Sequence, residues 1–174
     1  TNERGSGSTY YAVRSNHYNN IAYHNGYKVT SDGFGFIIQD TQQDNEIERW
    51  RNYSNNIDYD NYRKYTYTAE GLAKYSGSNN SWDIPLTLTD ADFVSLDTTG
   101  ITAPRQADGS LPDNNCYRNF LRLSEGSQAI DKGIDVGLKY YGTAPDLGPF
   151  EYVSRSSNPP EPPVYLGSVI ENAT

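Results

Sequence analysis

Short runs of β-branched and aromatic residues, bounded by Asn, Gly or Asp, set the rhythm of the first 70 residues. YYAVRS (10–15), IAY (21–23) and GFGFIIQ (33–39) come first; EIERWR (46–51), IDY (57–59) and KYTYT (64–68) follow. Runs of this composition between Asn/Gly turns predict strands. The two sets are also spelled alike. NHYNNIAYHNG (16–26) lies over NYSNNIDYDNY (52–62), so that Asn16, Asn19, Asn20, Ile21, Tyr23 and Asn25 recur as Asn52, Asn55, Asn56, Ile57, Tyr59 and Asn61. The offset is 55 − 19 = 36 residues. A repeat of that length points to a solenoid, propeller or array. Three short strands per repeat predict an all-β chain built as a right-handed parallel β-helix. The polar stretch DTQQDNE (40–46) reads as a loop that lengthens the coil.

Equivalent positions of stacked coils lie about 4.8 Å apart, as neighbouring strands do. Asn tolerates left-handed backbone angles at a tight turn. Its amide can also donate to one coil and accept from the next, which satisfies polar groups that would be costly to bury unpaired. Asn20 over Asn56, or Asn19 over Asn55, is therefore expected to form a ladder. The competing reading is a pair of similar solvent-exposed turns.

Beyond residue 76 the regularity fades. SGSNNSWDIP (76–85) reads as a loop with one large aromatic, and LTDADFVSLD (88–97) as a short helix capped by Thr89 or Asp90. TTGITAPRQADGSLPDNN (98–115) is turn-rich, NFLRLSEGSQAIDKGIDVG (119–137) carries a short apolar segment, and GTAPDLGPFEY (142–152) is punctuated by Gly and Pro. The expected organisation is a set of last β-helix coils with loops and a short helix over 1–97, and a cap over 98–153. A Pro-rich linker follows over 154–163. Residues 164–174 read as the first strand of a further, incomplete Ig-like, β-sandwich-like module, since one strand is not stable alone.

Composition fits this picture. Tyr contributes 16 of the 174 residues and Met none, hydrophobic residues make up 35%, and runs of strong helix formers are missing. The formal net charge of −8 argues against nucleic acid and against anionic membranes. Cys116 is the only cysteine, so no intrachain disulfide or Cys-based metal site can form. No run of about 18 apolar residues offers a membrane span. The first residues, TNERGSGSTYY, lack an initiator Met and an apolar signal, so Thr1 reads as an interior or processed position.

Four segments in order carry a resemblance: NNSWDIPLTLTDADFVSLDTTG (79–100), RQADGSLPDNN (105–115), FLRLSEGSQAIDKGIDVG (120–137) and YYGTAPDLGPFEY (140–152). With NNIAYHNGYKVTSDGFGF (19–36) upstream, residues 10–152 resemble the carboxy-terminal region of bacterial parallel β-helix polysaccharide lyases, most of all the family-nine pectate lyases. SQAIDKG and APDLGPFE also close β-helix proteins of other activities. The resemblance implies a secreted or cell-surface protein acting on polygalacturonate by β-elimination. In that family a neutral Lys removes the proton beside the uronate carboxylate, and calcium held by several Asp residues acidifies it. Residues 1–36 hold neither such an Asp cluster nor a Gly-Phe-Lys run. No catalytic residue or metal ligand is carried over, and the chemistry is expected on coils upstream. A non-catalytic glycan-binding or adhesin-type β-helix is the alternative, and a glycoside hydrolase on the same scaffold a weaker one.

Individual candidates are each weighed against a plainer role. Arg14 and Arg49 can pair with uronate carboxylates, since Arg binds them bidentately, and Trp50 can stack on a sugar. Packing along the strands is the plainer role for these and for Arg51. Tyr10, Tyr11, Tyr53 and Tyr62 share the stacking expectation, against simple strand filling. Lys28, with Asp32 nearby, has the position of a base but not its setting. Asp58 and Asp60, at i and i+2 of a strand, would share one face and could join a calcium site, which takes about six to eight oxygens. His17 and His24 lack a third ligand and read as surface turn histidines.

Overall fold

In the computed structural model, the described residues are 13–28, 33–38, 49–67 and 75–154, without the side chains of 13, 14, 49, 50, 66 and 67. The segments assigned to the Pro-rich linker beyond Ser154 and to the Ig-like strand lie outside the described residues, as do Tyr10, Tyr11 and Asp32.

Among the described residues strands outnumber helices, and helix is scarce. Seven strands occur among the described residues: β1 (Val13–Tyr18), β2 (Ile21–Tyr23), β3 (Ile37–Ile38), β4 (Arg49–Ser54), β5 (Ile57–Tyr59), β6 (Thr66–Tyr67) and β7 (Tyr75–Ser78). They form three separate parallel sheets, ordered β1-β4-β7, β2-β5 and β3-β6. A strand falls in each of the three expected runs of both repeats, β1 and β4 running on to residues 18 and 54 past the expected ends at 15 and 51, and the 36-residue offset is the register between β1 and β4 and between β2 and β5. Val13 pairs with Arg49 (49 − 13 = 36) and Ile21 with Ile57 (57 − 21 = 36). The third sheet has its own offset, with Ile37 paired to Thr66 (66 − 37 = 29).

β7 corrects the expectation of a loop at 76–85. It lies parallel to β4, with Arg51 opposite Tyr75, an offset of 75 − 51 = 24. The segment is therefore the start of a third turn, entered by a shorter path. Asn19, Asn55 and Asn79 all take left-handed backbone angles, φ 53°, 59° and 58°, at the same point of three successive turns. Asn is among the few L-residues that adopt this region readily. Gly77 stands opposite Tyr53, and a Cβ there would lie 1.9 Å from the Tyr53 carbonyl oxygen, so only glycine fits.

The expected helix at 88–97 shrinks to one 3-10 turn, Asp90–Asp92, with Thr89 as N-cap. The chain is then drawn out by pairing: Phe93 bridges Leu123, Ser95 bridges Phe120, and Val94 N–H donates to the Arg122 carbonyl at 2.8 Å. Helix α1 (Asn115–Asn119) is capped by Asn114, whose side chain accepts from Tyr117 N–H at 3.1 Å.

The principal core sits where the second turn meets the later segments. Ile57, Phe93, Leu121, Leu123, Ala129 and Leu147 are buried together, with Ile21, Tyr23 and Tyr59 against them. Backbone bonds tie the two parts: Gly148 N–H donates to the Asn55 carbonyl at 2.8 Å, and Leu147 N–H to that of Ala129 at 3.0 Å.

Candidate functional site

The expected asparagine ladder is present, and it has three rungs. Asn20 backbone N–H and Nδ2 donate to Asn56 Oδ1 at 2.9 and 3.0 Å. Asn56 repeats the pattern onto Asn80 Oδ1, at 3.0 and 2.7 Å. Nδ2 of Asn56 also donates to the His17 carbonyl at 2.7 Å, and that of Asn80 to the Tyr53 carbonyl at 2.8 Å. Asn56 and Asn80 are wholly buried, so the bonds between them replace water that cannot enter, while Asn20 is exposed. A second ladder runs along the next turn, where Asn25 N–H and Nδ2 both donate to Asn61 Oδ1 at 2.9 Å. Asn55 accepts from Ile134 N–H and donates to its carbonyl, both at 2.8 Å, so its amide acts as one more strand residue. These groups are committed to architecture and have no reactive role.

For the expected substrate contacts, the backbone register sets Arg14 opposite Trp50 and Arg49 opposite Val13. Arg14, Arg49 and Trp50 are thus gathered on the first sheet, and their side chains lie outside the described residues. Tyr53 fills a strand position as the plainer role requires. It is 6% exposed and stacks on His17 with ring centroids 4.5 Å apart. His17 is therefore no surface turn residue: it lies in β1, and burial, then the Arg51 charge, pulls its pKa below the ordinary value. Trp82, unassigned from sequence, packs against Tyr65 and Phe36 with centroids 5.1 and 4.9 Å away.

Asp58 and Asp60 do not form a pair. β5 ends at Tyr59 and Asp60 turns left-handed (φ 48°), which breaks the strand alternation the expectation needed. The half-buried Asp58 accepts from Asn61 Nδ2 and Tyr65 N–H, both at 2.5 Å. Desolvation raises its pKa against those bonds. Asp60 instead accepts from His24 Nδ1 at 2.8 Å and from Tyr27 hydroxyl at 2.9 Å. The His24 bond, then that of Tyr27, holds the Asp60 pKa low against its slight desolvation. Tyr27 stacks on His24 at 4.1 Å and meets Tyr62 edge-on at 6.1 Å. Lys28, the candidate base, is an exposed residue beside this group.

Asp92, Asp146 and Glu151 are anchors for backbone amides, whereas Asp113 pairs with Arg118. Asp92 accepts from Thr89 N–H and hydroxyl, Ser127 hydroxyl and Gln128 N–H. Asp146 accepts from Asp131 and Tyr152 N–H, and Glu151 from Tyr141 and Asp146 N–H. Among the described residues no group of three or more His, Cys, Asp or Glu side chains could hold a metal ion. The donor sets seen do not fit a calcium site, because their oxygens already face amide donors. No described helix is long and apolar enough to cross a membrane. An open groove of about 580 Å³ runs beside Leu86, Ile130, Lys132 and Tyr152.

Comparison with known proteins adds what geometry alone does not. No family model matches the chain. It is 33% identical over 134 residues to pectate lyase L of Dickeya dadantii (strain 3937), covering 76% of this chain and 27% of that protein. Pectate lyase L of Dickeya chrysanthemi is likewise 33% identical, over 137 residues. The crystal structure of pectate lyase Pel9A superposes with a TM-score of 0.58 at 30% identity, over 80% of this chain and 30% of that one. The chain spans little more than a quarter of the length of the curated relatives it matches. The pectate lyase-like carboxy-terminal region that the sequence motifs suggested is borne out.

Proposed function

We propose, with that similarity as premise, that this chain contributes the last coils and the cap of a right-handed parallel β-helix polysaccharide lyase-like protein. The parent acts on an acidic polysaccharide, polygalacturonate in the first instance, by calcium-dependent β-elimination outside the cell. The observation that carries the reading is the three-rung ladder running in one register with parallel strands, in a chain 33% identical to pectate lyases. Successive turns related by one translation are what a β-helix requires.

Three observations support placing the chemistry on preceding coils. β1, β2 and β3 all lie at the same edge of their sheets, so an earlier coil has three strands to pair with. Asn20 Oδ1 accepts from no described residue, whereas Asn56 and Asn80 each accept from the Asn of the turn before. Asp92, Asp131, Asp146 and Glu151 are taken up by backbone amides. Residues 98–153 then cover the far end of the core, and a linker (154–163) leads into an Ig-like module.

The decisive experiment uses protein extended upstream of Thr1, assayed on polygalacturonate for the ultraviolet absorbance of unsaturated product, with calcium and then with chelator. Calcium-dependent product is expected. Binding without product would favour the alternative, a glycan-binding or adhesin-type protein. The exposed rings of Tyr27 and Tyr62 support that second reading.

A further inference from the structure

Two tyrosines outside the ladders meet across adjacent turns, and three cations flank them in sequence. Tyr27 and Tyr62 are 48% and 49% exposed, with ring centroids 6.1 Å apart and planes at 84°. Each is followed directly by a cation, Lys28 after Tyr27 and Arg63 with Lys64 after Tyr62, and all three cations are exposed. This is local cationic density in a chain of net charge −8. The ion pairs among the described residues join His24 to Asp60 and Arg118 to Asp113, so none takes up these three cations.

The platform is held in place from beneath. Tyr62 N–H donates to the Asn25 carbonyl and Arg63 N–H to that of Gly33, both at 2.9 Å. The arms of the turn touch at Gly26 and Gly33, where a Cβ on Gly26 would lie 2.2 Å from Gly33 Cα and 3.1 Å from Tyr62 Cβ. Arg63 rests its guanidinium 5.2 Å from the centre of the Phe34 ring. His24 covers one face of Tyr27, and Asp60 fixes its hydroxyl. Two carboxylates lie close by. Asp60 is engaged by His24 and Tyr27, and Asp58 faces Asn61 and Tyr65 N–H while feeling Lys64.

We infer that Tyr27, Lys28, Tyr62, Arg63 and Lys64 form a binding site for a uronic acid polysaccharide, separate from the site of bond cleavage. The inference rests on the acidic-polysaccharide reading above and adds a place on this chain where such a polymer is held. A pyranose ring presents C–H faces that suit an exposed aromatic ring. Its carboxylate suits Arg, which binds it through two parallel hydrogen bonds, and Lys as a point charge. Recognition by side-chain cations needs no bridging metal, so binding persists in chelator.

The test uses the full chain with oligogalacturonate and EDTA, followed by calorimetry and by amide shifts. Saturable binding that shifts residues 24–28 and 60–65 and weakens several-fold with added salt is expected. The triple variant Lys28→Gln/Arg63→Gln/Lys64→Gln should lose binding, and Tyr62→Ala should weaken it several-fold. Arg105→Gln, a distant exposed cation, should leave it unchanged. No binding, binding retained by the triple variant with its native spectrum, or equal binding of a neutral galactan oligomer would overturn the inference. In the upstream-extended protein the triple variant should lower affinity for long polymer and spare turnover of a short oligomer. Absence of elimination with intact binding would sink the lyase reading alone.

Discussion

The turns built around Asn20, Asn56 and Asn80 and the closing segments from Leu86 to Tyr152 bury polar groups by opposite means. The turns repeat one neutral side chain, and the central amide, Asn56, both donates and accepts, while the last, Asn80, also donates to the Asp83 carboxylate. The closing segments do not repeat. They hold irregular backbone with carboxylates that only accept, Asp92 taking four hydrogen bonds from Thr89, Ser127 and Gln128. A translation-symmetric stack can use one residue type indefinitely. A closure built once must collect whatever amides its loops leave unpaired, and a carboxylate with two oxygens collects the most. The first region should therefore fail through loss of mutual partners, and the second through loss of charge.

Asn56→Ala should break the comparison hardest. It strands Asn20 N–H and Nδ2 and the His17 carbonyl, and Asn80 Oδ1 loses one of its two donors, since the backbone N–H of residue 56 stays. With each buried orphan costing about 1–3 kcal/mol, urea denaturation should show a loss of roughly 3 kcal/mol or more. Asp92→Asn should come next, since an amide offers one oxygen where the carboxylate offers two. A loss of about 2 kcal/mol is expected in the same assay. At the other extreme, Asn25→Ala removes an exposed rung that water can replace, and should cost about 0.5–1 kcal/mol.

Acid sharpens the contrast between these. Hydrogen bonds lower the Asp92 pKa against the desolvation that is its largest single influence. Bonds from Ala144 and Thr143 N–H lower that of Asp131. Their stabilisation is complete above the ordinary carboxylate value of 3.8 and is lost as pH falls through the lowered folded values. Asp146 and Glu151 act with the other sign. Desolvation raises both, so their contribution grows as pH falls through the raised values. Stability should hold or rise slightly on first acidification and then drop. Carboxyl NMR titration should place Asp146 and Glu151 above Asp92 and Asp131. A monotonic fall from neutral pH, with all four titrating together, would contradict this assignment.

The difference in design also explains what could be read in advance. Asn19-Asn20-Ile21 and Asn55-Asn56-Ile57 are spelled alike because they occupy equivalent stacked positions, so the repeat disclosed strands, register and ladder. The third turn escaped because Ser81 stands where Ile57 would recur and the offset falls to 24. Ser-Asn-Asn, shared by 54–56 and 78–80, was its signal. The anchors were illegible for a different reason. Asp92 meets Gln128 36 residues away with no shared spelling, and Asp146 meets Asp131 across a turn. The Asp58/Asp60 pairing failed at one backbone angle, the positive φ of Asp60, which alternation cannot foresee. Of the platform, Tyr62 was legible as a stacking candidate, and Tyr27 joined it only once the turns were stacked.

The offsets of 36, 29 and 24 residues between paired strands separate two quantities that most folds keep tied. The axial step from turn to turn is held by the rungs, while the contour length spent between strands is free to vary. Such a scaffold can lengthen or shorten its excursions without disturbing the stack, since extra loop costs entropy only logarithmically. Inserted sequence between β3 and β4 would thus change what the surface presents while leaving the pitch untouched. A polymer running along the axis could then meet new groups at an unchanged spacing.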